Sequence, residues 1–361
     1  MRAAIVHAAG DATLDLRTDV TVVGPGPGEV RVRIKAAGIC HSDISALSGI
    51  LPTTVPAVLG HEASGIIAEV GEGVTHVEVG DHVILCFTPA CRTCPECLGG
   101  QPYLCIATIG DTFGKATFRL GDGTDVYRMA GLGAFAEETV VAGGAAIKID
   151  KDIPFDLAAM LSCGVATGIG AVLNTAQVRS GSSVVVIGAG GVGLAVIQGA
   201  KIAGAASIVA VDPLVSKHDI ALRSGATHAT TPEGLAELRG LLTAGRGFDY
   251  AFEAVGRSAT LTAASQAARR GGKVIVVGAG SVTDHFQVDM FSLLFEGKDF
   301  LPSIYGSSDM NRDAPMYTDL WRNGKLDLET VISARIKFEE LNDALGALGR
   351  GEVVRQVVLF D

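Results

Sequence analysis

Val184-Val185-Val186-Ile187-Gly188-Ala189-Gly190-Gly191-Val192-Gly193 is the stretch on which the architecture turns. Four consecutive β-branched apolar residues leave no polar face, as in a strand covered on both sides. The six residues that follow satisfy G-x-G-x-x-G, and Gly191–Gly204 reads on as an apolar helix. In such a strand–turn–helix unit Gly188 permits the tight turn and Gly190 lets a diphosphate approach the backbone. Gly193 lets the helix pack closely on the strand, while Gly191 and Val192 place the first helical N–H groups toward an anion.

Working outward, strands and helices alternate. Ser207–Val211, Phe248–Glu253 and Lys273–Val277 read as strands, and Ser216–Ser224 and Ala259–Arg270 as helices. Alternation at this spacing predicts an α/β doubly wound parallel sheet over residues 165–304. Asp212 ends the second strand, 24 residues after Gly188. A carboxylate there accepts from the hydroxyls of an adenosine ribose and repels a 2′-phosphate, so NAD is expected over NADP.

The preceding region is different. Glu29–Ala37 alternates apolar and charged residues after Gly24-Pro25-Gly26-Pro27-Gly28, and Ala63–Val70 and Asp81–Phe87 are short apolar runs flanked by glycine. These predict a compact antiparallel, barrel-like β unit. Strand candidates at Ile332–Phe338 and Val353–Phe360 return the tail to it, giving domains at 1–164 plus 305–361 and at 165–304. A chain of 361 residues exceeds one ordinary core, which agrees with two domains. The net charge of −10 argues against a polyanion-binding surface, so no nucleic-acid partner is expected. No apolar run near the roughly 20 residues of a membrane span is apparent. Met1–His7 reads as a strand rather than a signal segment, so no membrane role and a cytosolic location are expected.

Seven cysteines are present, four of them in the run Cys91, Cys94, Cys97, Cys105. Four thiolates in so short a loop suit a tetrahedral zinc with no open position; disulfides between such close neighbours would be strained. Cys40 and Gly60-His61-Glu62 stand apart, each beside a glycine, and lack a third ligand. Cys86 and Cys163 are the candidates, with Cys163 just before the nucleotide-binding half. Two thiolates and an imidazole would leave one zinc position open. Spacing alone does not choose between the two cysteines.

Gly60-His61-Glu62-Ala63-Ser64-Gly65 resembles the zinc signature of the zinc-dependent alcohol dehydrogenases of the medium-chain dehydrogenase/reductase family, and the chain resembles that family over essentially its full length. The resemblance implies a GroES-like β-rich catalytic domain, a Rossmann domain, NAD and two Zn2+ per subunit. It implies Cys40, His61 and Cys163 as ligands of a catalytic zinc, with Cys91, Cys94, Cys97 and Cys105 holding a structural one. Glu62 matches an acid that can approach the metal, Asp43 one that orients His61, and Ser42 the hydroxyl that relays the substrate proton. Lys217 is implied near the adenosine ribose, Arg355 on the pyrophosphate, and Val277 as a further cofactor contact. Two positions depart from the family. His41 stands where arginine is common and can still touch pyrophosphate, and Ser45 replaces the histidine that ends the relay in many members.

The activity implied is reversible hydride transfer between a primary or secondary alcohol, aliphatic or aromatic, and NAD, giving aldehyde or ketone. Leu51, Phe87 and Phe135 match pocket positions and are all apolar. The glutathione-dependent branch normally has an acid where Leu51 stands, which disfavours that substrate. The segment from about Cys105 to Phe135 is as long as in dimeric members, so a homodimer is expected, with a tetramer as alternative. A same-fold reductase of an activated C=C or C=N bond, and a non-catalytic NAD sensor, are the competing readings. The complete set of three ligands with Ser42 argues against both.

Overall fold

The strand Ser183–Ile187 is central in a six-stranded parallel sheet of the computed structural model, which describes residues 1–107 and 115–361. Across the sheet the order is His228–Thr230, Ser207–Val211, Ser183–Ile187, Phe248–Glu253, Ala268–Val276, Asp299–Pro302, with every pair parallel. The chain starts in the middle, runs out to one edge, then returns and builds toward the other. This doubly wound order reverses beside the glycine turn, where such sheets take their ligands. Val184, Val185 and Val186 are fully buried, as a strand without a polar face requires.

The glycines behave as their spacing predicts. Gly188 has φ +98°, a left-handed backbone that side chains avoid. A Cβ on Gly193 would sit 1.8 Å from the Gly188 carbonyl oxygen, whereas one on Gly190 would meet nothing within 4 Å. Gly193 is therefore fixed by packing, and Gly190 keeps an open approach to the helix Gly191–Ile202.

One boundary differs from expectation. The helix expected over Ala259–Arg270 spans Ser258–Ala267, and Ala268–Val276 is already strand. Ala268 pairs with Phe248, and Gly271-Gly272 offer little to prolong a helix, so sheet pairing wins. The helix Leu235–Thr243 and the strand His228–Thr230 were not anticipated.

The chain forms two compact units: Met1–Cys163 with Asp309–Thr318 and Ile332–Asp361, and Gly164–Ser308 with Asp319–Val331. Within the second, the Gln198 amide donates to the Asp327 carbonyl at 2.9 Å and accepts from its N–H at 2.8 Å, securing the 319–331 segment. The first unit is built on a seven-stranded sheet around Glu29–Ile39, flanked by Glu62–Val70 and by Gln356–Leu359. The Gln356–Leu359 strand is where the tail returns, pairing parallel with Ala334–Ile336. A second, six-stranded sheet carries Ala3–Val6 and Ala57–Val58. Ile5, Val32, Ile34, Leu59 and Phe135 fill its core.

Contrary to the reading of the sequence, one helical segment among the described residues is apolar and long enough to cross a membrane: Phe155–Ala176, 22 residues containing an 18-residue window of mean hydropathy 1.6. It is 89% buried inside the protein, the setting of a core helix. Its small polar residues (Ser162, Thr167, Asn174) had masked the run's apolar average.

Because the Gly188 carbonyl cannot move aside, Gly193→Ala is expected to destabilise the fold by about 1–3 kcal/mol through overpacking. A urea-unfolding midpoint equal to that of the parent would remove the packing role.

Candidate active site

Strand register assembles the first cluster. Gly38 in Glu29–Ile39 pairs with Glu62, bringing together the residues that flank the paired strand ends: Cys40 after one, His61 before the other. A Cβ on Gly38 would lie 2.3 Å from Glu62 Oε2 and 2.6 Å from Met160 Cε, so this glycine makes room for the Glu62 carboxylate. Cys163 arrives on a π-helical turn, Leu161–Val165, within the buried helix. Such turns recur at functional sites because the extra residue redirects a side chain. One ligand atom from each of Cys40, His61, Glu62 and Cys163 lies within 4.8 Å of the others, and all four residues are buried. Cys86, the alternative ligand, belongs to neither metal-type cluster; its Sγ lies 3.7 Å from Thr88 Oγ1.

Asp43, fully buried, organises this group. Its Oδ2 accepts from the Cys40 N–H at 2.9 Å, and its Oδ1 accepts from the Gly60 N–H at 3.2 Å and faces His61 Nδ1 at 3.1 Å. With Nδ1–H donated to the carboxylate, Nε2 remains for a metal. Arg355 donates to Glu62 Oε1 at 2.7 Å and to the Ile39 carbonyl at 3.3 Å. Glu62 Oε2 is buried without a hydrogen-bond partner. Ser42 Oγ stands 3.7 Å from Cys40 Sγ.

The proton positions follow from this crowding. The shared hydrogen bond from Cys163, opposed by burial and aided by Arg355, holds Cys40 well below the usual thiol range. The same hydrogen bond pushes Cys163 up. Burial would lower His61, but the Asp43 carboxylate and Cys40 outweigh it and raise it. Burial pushes the Glu62 carboxyl up to about 7 against the opposing charge of Arg355. Two sulfurs, one imidazole nitrogen with its other nitrogen committed, and an orphaned carboxylate oxygen suit a zinc ion with an exchangeable position.

The second cluster gathers Cys91, Cys94, Cys97 and Cys105, with sulfurs mutually within 4.8 Å. Tetrahedral zinc with bonds of about 2.3 Å needs sulfurs roughly 3.8 Å apart; Cys94 and Cys105 stand at 3.9 Å. Backbone N–H groups of Cys91 and Cys94 point at Cys105 and Cys91 sulfurs, each at 3.3 Å, a setting that favours thiolates. The Thr93 hydroxyl and nearby N–H groups pull Cys91 down to about 5, while burial pushes Cys97 up to about 12. No disulfide joins any cysteine among the described residues. Arg92, at φ +65°, clamps Asp309 with two 2.7 Å bonds and so anchors the loop.

At the glycine turn, Asp212 is buried, its Oδ2 accepting from Ala189 N–H at 2.9 Å and its Oδ1 from Leu214 N–H at 3.0 Å. Lys217 Nζ lies 3.9 Å from Oδ2. Val277 follows the Ala268–Val276 strand, at the same carboxyl end of the sheet as Gly188. His41 is exposed, and Ser45 half-buried, on the helix His41–Leu47.

Two expected roles meet a different structure. Arg355 was expected on a pyrophosphate; its side chain is only 6% exposed and pairs with Glu62. The cause is register: Gln356 pairs with Ile39, which sets the preceding residue beside Cys40. Phe135 was expected in a substrate pocket, yet it has no exposed surface and packs against Gly60 as core. Phe87 is half-buried with its ring edge-on to His61 at 5.8 Å, and Leu51 is half-buried. Reading of the sequence missed Gly38, whose only signal was a glycine breaking the strand Glu29–Ile39.

Residues 26–151 match the alcohol dehydrogenase GroES-like domain and residues 191–319 the zinc-binding dehydrogenase domain. The chain belongs to the zinc-dependent alcohol dehydrogenases of the medium-chain dehydrogenase/reductase family, NAD-dependent oxidoreductases that act on CH–OH groups. Its α/β architecture is the family's GroES-like and Rossmann pair, and zinc and a nicotinamide dinucleotide are its cofactors. It is 38% identical to "Alcohol dehydrogenase class-3" of Cereibacter sphaeroides, over 99% of both chains. It is 36% identical to "S-(hydroxymethyl)glutathione dehydrogenase" of Paracoccus denitrificans, over 95% of both. The solved benzyl alcohol dehydrogenase of Acinetobacter calcoaceticus superimposes with a TM-score of 0.92 at 32% identity, covering 100% of this chain and 99% of that one.

The two clusters predict two zinc ions per chain. Cys97→Ser is expected to retain one and to lower thermal stability, and Cys163→Ala to lose the other while the fold persists. Zinc uptake by the stripped protein should release protons, so apparent affinity falls as pH falls. Elemental analysis showing two ions in either variant, or uptake without proton release, would contradict these assignments.

Proposed function

We propose that the chain oxidises primary or secondary alcohols with an apolar aliphatic or aromatic body, reversibly, using NAD. The observation that carries this reading is the gathering of Cys40, His61 and Cys163 beside the Ser42 hydroxyl, with the Phe87 ring edge-on to His61. Zinc on such a donor set supplies Lewis-acid polarisation of an alcohol or carbonyl oxygen. Ser42 takes the hydroxyl proton and passes it on; with Ser45 in place of a histidine, the relay ends in water or another residue. Asp43 keeps His61 in one tautomer and orientation. Glu62 and Arg355 hold a buried charge pair at the back of the cluster. A bound nicotinamide would supply the hydride acceptor, and Ser42 would take the alcohol proton, so that the product is an aldehyde or ketone.

Curated relatives at 38% and 36% identity carry class-3 and S-(hydroxymethyl)glutathione names. Against that substrate stands Leu51, apolar where the glutathione branch places an acid, while the benzyl alcohol dehydrogenase likeness supports an aromatic body. Asp212, buried and negative, supports NAD over NADP.

A homodimer is the assembly we favour. The helix Met290–Glu296 buries none of its residues, and Phe291 and Leu294 are 71% and 74% exposed. It adjoins the edge strand Asp299–Pro302, whose outer hydrogen-bonding groups can pair with a second copy. Of the segment from Cys105 to Phe135, whose length suggested dimers, residues 108–114 lie outside those described. Cysteines without disulfides support the cytosol as compartment.

An alcohol panel followed by NADH absorbance is expected to give at least tenfold higher kcat/KM for benzyl alcohol than for S-(hydroxymethyl)glutathione. The reverse ranking would overturn the substrate assignment. Asp212→Gly is expected to raise the NADP-to-NAD ratio of kcat/KM by about tenfold or more, since about 1.4 kcal/mol of relieved repulsion suffices. An unchanged ratio would take Asp212 out of cofactor selection.

A further inference from the structure

A cavity of about 540 Å³ lies in the second unit, at the amino-terminal ends of the parallel strands. Ala268, the first residue of the Ala268–Val276 strand, and Phe300, the second of Asp299–Pro302, line it. The glycine turn and Asp212 are at the carboxyl ends of their strands, so this cavity is at the opposite end of the sheet from the dinucleotide elements. Its volume falls within the range of small-molecule sites, roughly 300–1,000 Å³.

Its walls are cationic. Arg239, Arg246, Arg270 and Lys298 face two carboxylates, Asp289 and Glu296, a formal surplus of two positive charges in a chain of net charge −10. Both acids are already engaged. Glu296 pairs with Lys298 at 2.6 Å, and Asp289 accepts from the Ser292 N–H at 2.7 Å. The three guanidinium groups donate only to carbonyls: Arg239 to Gln266 and Gly245, Arg246 to Thr243, Arg270 to Phe295. Among the described residues none of the three has a carboxylate partner. A carbonyl orients a guanidinium without neutralising it, so the charge and the remaining N–H donors stay available to an anion.

Two half-buried phenyl rings, Phe286 and Phe300, also line the cavity with centroids 5.6 Å apart. The helix Met290–Glu296 turns Ser292, Leu293 and Glu296 to the cavity, while Met290, Phe291 and Leu294 are exposed. The cavity face and the apolar face are therefore distinct sides of one helix, at the spacing of residues three and four apart. The acidic whole-chain charge argues against a polyanion-binding surface over the molecule at large, whereas the lining of this cavity is locally cationic.

We infer that this cavity is a second ligand site, separate from the dinucleotide site, for a small phosphorylated compound carrying a flat ring, a nucleoside diphosphate in chemical class. Arg239, Arg246 and Arg270 bind the phosphates as forked donors, and Phe286 and Phe300 receive the ring.

Calorimetric titration of ADP and of inorganic pyrophosphate into zinc-loaded protein saturated with NADH tests the proposal, because NADH closes the dinucleotide site. One saturable ADP site per chain is expected, weakened at least tenfold in Arg246→Glu and less in Arg246→Gln, with melting temperatures unchanged. Absence of saturable binding, or affinity equal in parent and Arg246→Glu, overturns the site. Pyrophosphate binding as tightly as ADP overturns the part assigned to the two phenylalanines.

Discussion

The first unit's chemistry depends on one buried carboxylate. Asp43 has no exposed surface, and an ionised carboxyl placed there without partners would cost several kcal/mol. It is satisfied by two backbone N–H groups and the His61 ring. Those partners belong to the residues that must converge: Cys40 at a helix start, Gly60 and His61 at a strand start. The geometry of the donor cluster is thus a by-product of solving a desolvation problem. Asp43 is adjacent in sequence to the Cys40–Ser42 segment, so local chain geometry presents it and the strand pairing of Gly38 with Glu62 delivers the rest.

How much of this was legible in the sequence depended on how local each cause is. The glycine turn is local: strand, turn and helix lie within twenty residues, and each glycine's role can be named before a coordinate is seen. The four-cysteine loop is local too. Cys163 is not; its approach depends on a π-helical turn in a buried helix, which has no pattern at the level of residue types. The choice between Cys86 and Cys163 came from family resemblance, and only the geometry supplies a physical reason for it. Phe135 illustrates the other limit. An apolar aromatic reads the same whether it lines a cavity or fills a core, and contact with Gly60 decides for the core.

Arg355 is the most informative disagreement between pattern and structure. Its guanidinium pairs with Glu62 beside the thiols, so the cluster holds an ion pair besides its three ligands. One Glu62 oxygen is held by arginine while the other lies without a partner. A carboxylate so placed is tethered at one end and uncommitted at the other.

The separation of that pair along the chain also bears on how the protein is made. Glu62 and Arg355 are 293 positions apart, and residues 164–308 of the second unit are translated between them. During synthesis Asp43 can find its partners early, whereas the Glu62 carboxylate must wait for a partner the ribosome has yet to build. The parallel sheet can therefore be complete while the first unit is still missing a strand and a counter-ion. During this interval the edge of Glu29–Ile39 that Gln356–Leu359 later pairs with stays open.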